Sequence, residues 1–268
     1  MTVFGVSMIR DEVDIVGHTV RNMARQVDRL IVADNGSVDG TRELLAELAQ
    51  ELPLEVVDDP ERGYWQSRKM TALAHRAGEQ GASWVVPFDA DEWWYCTFGP
   101  IREHLAGIGD GMMVARAGLY DHVPTGLDPD EANPVRRMGW RRRDTLALPK
   151  VACRYRQDLT IHQGNHGCDY GGMLPASVDL LVVRHFPYRS AAQFVSKVRN
   201  GAEAYRATDL PADVGAHWRQ WGEILERDGE DAVAEVFRRW FWRADPTRPA
   251  RIEGEEQRAL LYDPAPGS

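Results

Sequence analysis

The stretch Val85-Val86-Pro87-Phe88-Asp89-Ala90-Asp91-Glu92 decides how the chain is read. An apolar run passes directly into two carboxylates spaced i, i+2. Side chains alternate along a strand, so both carboxylates face one side of the crevice where the sheet stops. Acidic oxygens at the carboxyl end of a buried strand suit a hard divalent cation, which keeps waters and takes phosphate oxygens as further ligands. Spacing alone is weak, because Asp128-Pro129-Asp130-Glu131 repeats it. That second copy lies in a Pro/Gly-rich stretch with no strand before it, and it reads as a solvated loop.

Upstream of the run, strand and helix signals alternate. Val3-Phe4-Gly5-Val6 opens as a strand, and Ile15, Val16, Thr19, Val20, Met23 and Val27 recur at helical spacing. Leu30-Ile31-Val32-Ala33 is a compact strand followed by the turn cluster Asp34-Asn35-Gly36-Ser37. Asp39 is expected to cap a helix whose stripe is Leu44, Leu45, Leu48 and Leu52. Leu54-Glu55-Val56-Val57 is a third strand, and a helix from Trp65 to Ala77 is expected to end at Gly78 and Gly81. Nearly continuous apolar strands joined by helices imply an α/β fold with a parallel sheet covered on both faces. Ligands in such sheets sit beyond the carboxyl ends of the strands. The polar clusters Ser7 to Glu12, Asp34 to Ser37, Asp58-Asp59 and Asp89 to Glu92 are therefore the site candidates.

Downstream the pattern loosens. Short strands are expected at Met112–Ala115, Val151–Cys153, Leu159–Ile161 and Leu180–Val183, with a mobile Pro/Gly/Arg-rich region over 121–149. The remainder reads as helical and aromatic, with Trp218, Trp221, Phe237, Trp240, Phe241 and Trp242, before a frayed polar tail. The expected division is a main domain over 1–190 (halves 1–95 and 96–190) and a helical extension over 191–268. The aromatic residues pack against the main domain on the simplest reading, and form an acceptor platform or dimer contact on the other.

At 268 residues, 43% apolar and 27% charged, the composition is that of an ordinary globular protein. A net charge of −9 argues against nucleic acid or an anionic membrane as a general partner. Three cysteines without a CxxC spacing fit a reduced, cytoplasmic compartment. The first residues lack the features of a signal peptide, and no apolar run approaches the ~18 residues of a membrane span. Neither a GxGxxG after the first strand nor a P-loop occurs, which argues against a dinucleotide enzyme or an NTPase.

Taken together, Asp34-Asn35-Gly36-Ser37 with Asp39-Gly40-Thr41, then Gln66 to Lys69, then Trp84 to Glu92, resemble the family 2 glycosyltransferases of the GT-A fold. Gly164-Asn165-His166 and His185-Phe186-Pro187-Tyr188-Arg189-Ser190 resemble a bacterial subgroup of that family. The resemblance covers residues 1–200 and implies an inverting sugar transfer from a UDP-, GDP- or dTDP-linked donor to an acceptor hydroxyl. It implies that Asp34, with Asn35, contacts the base or ribose, and that Ser7 and Glu12 line the same pocket. Lys69 or Arg68 meets the diphosphate, with Gln66 and Ala90 also on the donor. Asp91 binds Mn²⁺ or Mg²⁺, and Asp89 reaches the metal, its water or the ribose.

His185 is either a further metal ligand or a buried, hydrogen-bonded histidine. His166 is ligand, base or neither. The family's Glu-Asp pair after the metal motif is missing here, which leaves Asp169 and Asp144 as carboxylate candidates for the base; Glu92 supports the metal site from behind. The basic run Arg136-Arg137 and Arg141-Arg142-Arg143 is read as a solvated loop, or as a closing loop over a phosphorylated ligand. A sugar nucleotidyltransferase and a non-catalytic nucleotide-sugar-binding module are the alternatives. The first expects a Gly-rich basic loop that Ser7 to Glu12 does not provide.

Overall fold

The structure, a computed structural model, describes residues 1–252 and 255–264. They form two compact units. The first comprises residues 1–60, 65–120 and 145–185; the second comprises 61–64, 121–144 and 186–268. This grouping departs from the division expected at residue 190, because the segment 121–144 makes its contacts with the C-terminal residues.

The first unit is built on an eight-stranded sheet. Its strands are β1 (Val3–Ile9), β2 (Arg29–Asp34), β3 (Leu54–Asp58), β4 (Trp84–Pro87), β5 (Glu92–Tyr95), β6 (Val114–Asp121), β8 (Lys150–Arg154) and β11 (Ser177–His185). The spatial order is β3-β2-β1-β4-β8-β6-β11-β5. Pairing is parallel from β3 to β4, whereas β4 with β8, β8 with β6 and β11 with β5 are antiparallel. Helices α1 (Val13–Gln26), α2 (Thr41–Leu48), α3 (Gln66–Glu79) and α4 (Ile101–Ala106) cover it. A small hairpin, β9 (Leu159–Ile161) with β10 (Cys168–Tyr170), encloses a 3-10 turn at Gln163–Asn165.

The period of two explains the continuous apolar strands. Val3, Leu30, Val32, Trp84 and Val86 enter one core with Val16, Val20 and Met23 of α1 and Leu45 and Leu48 of α2. Their strand neighbours Phe4, Val6, Ile31, Ala33 and Val85 enter the opposite core with Met70, Leu73, Ala74 and Ala77 of α3. Both sheet faces are dry, so no position in these strands needs to be polar.

Two local expectations are corrected. Helix α2 begins at Thr41, not after Asp39. Asp39 still satisfies helix ends, since its carboxylate accepts from Thr41 N at 2.9 Å and from Val13 N of α1 at 3.0 Å. Gly78 does not end α3 but lies within it, where a Cβ would come within 1.9 Å of the Tyr155 ring. The glycine is there for close approach rather than for termination.

The second unit contains α5 (Pro134–Arg137), β7 (Trp140–Arg141), α6 (Ala191–Arg206), α7 (Ala216–Asp228), α8 (Glu230–Trp240) and three short strands, β12 (Ala250–Ile252), β13 (Glu255–Gln257) and β14 (Leu261–Tyr262). Ser190 caps α6 by accepting from Gln193 N at 3.2 Å. Phe194, Val198, Trp221, Val233 and Phe237 form the core of the three long helices, with Tyr188, Trp218, Trp240 and Phe241 packed around them. These aromatic side chains thus make a core of their own within this unit.

The C-terminal strands correct the expectation of a frayed tail. β14 pairs with β7, and the arginines of the basic run hold the chain beside it. Arg141 Nε meets Asp263 Oδ2 at 2.9 Å, Arg142 Nη1 meets Gln257 Oε1 at 2.7 Å and Arg143 Nε meets Ala259 O at 2.9 Å. Arg137 donates to the carbonyls of Glu131 and Arg189. Arg137 and Arg141 to Arg143 are thus engaged by protein partners. In the repeat at 128–131, Asp128 closes its own turn by accepting from Thr125 N and Oγ1 at 2.9 and 2.7 Å.

Phe194 is fully buried, with its ring centroid 5.1 Å from those of Tyr188 and Trp221 and 5.3 Å from that of Phe241. Phe194→Ala is expected to destabilise this unit by about 3–5 kcal/mol. A denaturant titration followed by tryptophan fluorescence reads it; a loss below about 1 kcal/mol would mean that the helices are not held by this cluster. No helix among the described residues is long and apolar enough to cross a membrane.

Candidate active site

The carboxyl ends of β1, β2 and β4 lie side by side, because Ile9 is in register with Asp34 and Val6 with Pro87. The turns that follow β1 and β2 are locked together. Asp11 N donates to Ser37 Oγ at 3.0 Å, Val38 N to Asp11 Oδ1 at 2.7 Å and Glu12 N to Thr41 Oγ1 at 2.9 Å. Between them, the Ser7 hydroxyl and Asp34 Oδ1 are buried without a hydrogen-bond partner. The other Asp34 oxygen accepts from Ser37 N at 3.3 Å. Buried polar atoms left unpaired cost free energy, and a ligand with hydroxyl or N–H groups would satisfy both.

The remaining donor candidates separate. Asn35 Nδ2 donates to the Asp59 carbonyl and carboxylate at 3.1 and 2.9 Å, and Lys69 Nζ pairs with the same carboxylate at 2.7 Å. Lys69 is therefore buried beside Asp59 at the base of α3. The Arg68 guanidinium lies over the Trp65 ring, 5.3 Å from its centroid. Glu12 is buried, and its carbonyl accepts the first backbone bonds of α1. Ala90 is turned away: its methyl is in the core and its carbonyl accepts from Thr19 Oγ1 at 2.6 Å.

The acidic motif is organised by a residue that the sequence reading passed over. Lys150, at the start of β8, is only 3% exposed. Its ammonium reaches Asp89 Oδ2 at 2.6 Å, Glu92 Oε1 at 2.7 Å and the Gly164 carbonyl at 2.8 Å. Burial opposes the charge on Lys150, but the two carboxylates outweigh it and hold the ammonium above the ordinary lysine range. Glu92 is fully buried, and its second oxygen accepts from Asp89 N and Trp94 Nε1. Asp89 Oδ1 accepts from Asn165 Nδ2 at 3.0 Å and Gln66 Nε2 at 3.3 Å.

Both Asp89 oxygens thus already accept from protein donors. Asp91 instead faces His185, with Oδ1 3.6 Å from Nε2. Among the described residues, no three His, Cys, Asp or Glu side chains converge to hold a metal ion. The protein offers a pair.

The loop of the β9–β10 hairpin completes the cluster. Gln66 Oε1 accepts from Gly164 N at 2.7 Å, so Gly164 is held at its N–H by Gln66 and at its carbonyl by Lys150. Its φ of 75° lies in the left-handed region. His166 Nδ1 is 2.9 Å from the Pro149 carbonyl. Burial pushes the imidazole pKa down, with the Lys150 charge acting in the same direction.

Asp169 lies in β10, where His162 Nε2 at 2.9 Å and Gly172 N at 2.7 Å engage it. The His162 hydrogen bond holds its carboxyl below the usual range, which weakens it as a base. Asp144 belongs to the second unit, is exposed and stands 3.7 Å from Arg258. Of the candidates for the base, only His166 is tied to the acidic cluster.

The sequence matches the model of glycosyl transferase family 2 over residues 8–144, just over half of the chain. The chain belongs to this family. It is a glycosyltransferase with a mixed α/β sheet of the GT-A kind. Among solved structures it is similar to S. aureus TarS 1-349 in complex with UDP-GlcNAc, with 10% identity, a TM-score of 0.42 and coverage of 100% of this chain and 98% of that one. Against the longer S. aureus TarS chain the identity is 13% and the TM-score 0.40, covering 85% of this chain and 43% of that one. Glucosyl-3-phosphoglycerate synthase from Mycobacterium tuberculosis, in complex with phosphoglyceric acid, is 18% identical with a TM-score of 0.29, covering 44% of each chain. No curated protein matches the sequence.

Sequence reasoning passed over Lys150 and also Gln163, whose Oε1 accepts from Ser67 N of α3 at 3.1 Å. A lysine ahead of an apolar strand reads as a solvated flank, and only the fold brings it against Asp89 and Glu92. The glutamine sits in a turn without a periodic signal, and the neighbouring Gly164-Asn165-His166 was the one cue.

Proposed function

We propose that this glycosyltransferase transfers a sugar from a nucleotide-diphosphate donor to an acceptor hydroxyl with inversion, using Mn²⁺ or Mg²⁺ held by Asp91 and His185. The observation that carries the reading is the Asp91–His185 pair beside the carboxyl ends of the parallel strands. A carboxylate and an imidazole nitrogen 3.6 Å apart fit two neighbouring ligands of one ion. Diphosphate oxygens and water would supply the remaining ligands. The bound cation would stabilise the negative charge that develops on the departing diphosphate.

The chain's own residues do the rest. Asp34 Oδ1 and the Ser7 hydroxyl receive the nucleoside's hydroxyl and N–H groups, which removes their desolvation cost. Asp89, fixed by Lys150, Asn165 and Gln66, sets the path of the backbone through Ala90 to Asp91. The acceptor oxygen approaches the anomeric carbon from the face opposite the diphosphate, so no covalent enzyme intermediate is required.

A thermal-shift screen of UDP, GDP, dTDP and CDP tests this. One nucleotide is expected to raise the melting temperature in the presence of Mn²⁺ and not in its absence, because ligands stabilise the folded state by mass action. No shift with any of the four, with or without metal, would overturn the proposal.

A further inference from the structure

An inverting transfer needs a group to take the acceptor's proton, and no clear Glu-Asp pair stands at the place where the family carries one. We infer that Nε2 of His166 is the general base of the transfer, held ready by the Pro149 carbonyl and the Gly164 turn. The inference rests on the sugar-transfer reading above.

The first argument is the tautomer. A carbonyl oxygen can only accept, so the 2.9 Å contact with Pro149 O places the imidazole proton on Nδ1. Nε2 then carries its lone pair, and no hydrogen bond to it occurs among the described residues. The second argument is orientation. The ring lies against Gly164, where a Cβ would come within 2.4 Å of Cδ2. That glycine is fixed on both sides by Gln66 and Lys150, and the next residue, Asn165, donates to Asp89. The base is therefore braced by the same contacts that organise the acidic motif.

The third argument is charge. Lys150 of β8, Asp89 after β4 and His185 of β11 act on the imidazole, along with its own burial. Burial and Lys150 keep it neutral before reaction, while Asp89 favours the imidazolium that forms.

In the step, the acceptor oxygen forms a bond to the anomeric carbon as the bond from that carbon to the diphosphate oxygen breaks. The electron pair of the broken bond leaves on the diphosphate. The hydroxyl proton passes to Nε2, and the imidazolium later returns it to solvent.

The test compares the wild type with His166→Asn and Gly164→Ala, using UDP-glucose, UDP-GlcNAc, GDP-mannose and dTDP-glucose with Mn²⁺ and water as the probe acceptor. Nucleoside diphosphate release, nucleotide-dependent melting shifts and the His166 tautomer by nitrogen NMR are measured. His166→Asn is expected to keep the melting shift and to release nucleoside diphosphate about 10²–10⁴-fold more slowly. Gly164→Ala, which displaces the ring, is expected to act in the same direction. The wild-type ring is expected to carry its proton on Nδ1.

Release by His166→Asn within about threefold of the wild type would overturn the inference and leave the sugar-transfer reading standing. So would a proton on Nε2, and the tautomer decides if the wild type binds nucleotide without turnover. A wild type that neither binds nor turns over any donor would overturn the transfer reading itself.

Discussion

Replacing Asp91 by alanine is expected to abolish the metal-dependent part of nucleotide binding and to slow turnover by about 10²–10³-fold, the cost of losing one stabiliser of developing charge. Its carboxylate is buried, with Oδ1 3.6 Å from His185 Nε2. The fold is expected to survive, because Lys150, Glu92 and Asp89 keep their contacts with one another. The measurement is the melting shift on adding nucleotide with and without Mn²⁺, alongside far-UV circular dichroism. A full metal-dependent shift in Asp91→Ala would sink the assignment. Asp89→Ala is the informative contrast: it strips Lys150 of a partner, so it should lower stability before any nucleotide is added.

The second large effect concerns stability. Lys150→Met is expected to destabilise the first unit by about 3–5 kcal/mol, since it leaves Glu92 and Asp89 in a buried site without their cation. Truncating one member of such a group costs more than the group as a whole contributes, because the surviving charges lose their compensation. Denaturant unfolding of Lys150→Met, Glu92→Gln and the double variant separates these contributions. The double variant should lose less than the sum of the singles, as expected for residues in direct contact. Additive losses would show that the ion pair contributes nothing specific.

Much of the fold was legible because both faces of the parallel strands are buried. Val3 to Val6, Leu30 to Ala33 and Trp84 to Val86 read as unbroken apolar runs, and each is a strand. The stripe of α1 was equally plain, since Ile15, Val16, Thr19, Val20 and Met23 are all buried. Errors came where one residue type serves two physical ends. Gly78 reads as a helix end but makes room for Tyr155, and Arg141 to Arg143 read as a solvated face but clamp the C-terminal strands. Glu92 to Tyr95, a short fifth strand, was hidden behind the acidic motif it continues.

The chain by itself determined the family, the order of the elements of the nucleotide half and the carboxylates at the end of β4. Those features are local: strand periodicity, turn composition and a motif whose members are consecutive. Tertiary structure alone brought a buried cation to the acidic motif, because Lys150 lies 61 positions from Asp89 along the chain and yet 2.6 Å from it in space. It also set His166 against a backbone carbonyl and a glycine turn, and Asp169 against His162, contacts that leave no mark on composition. Charge pairing and tautomer are set by what folding brings together, and no spacing rule encodes them.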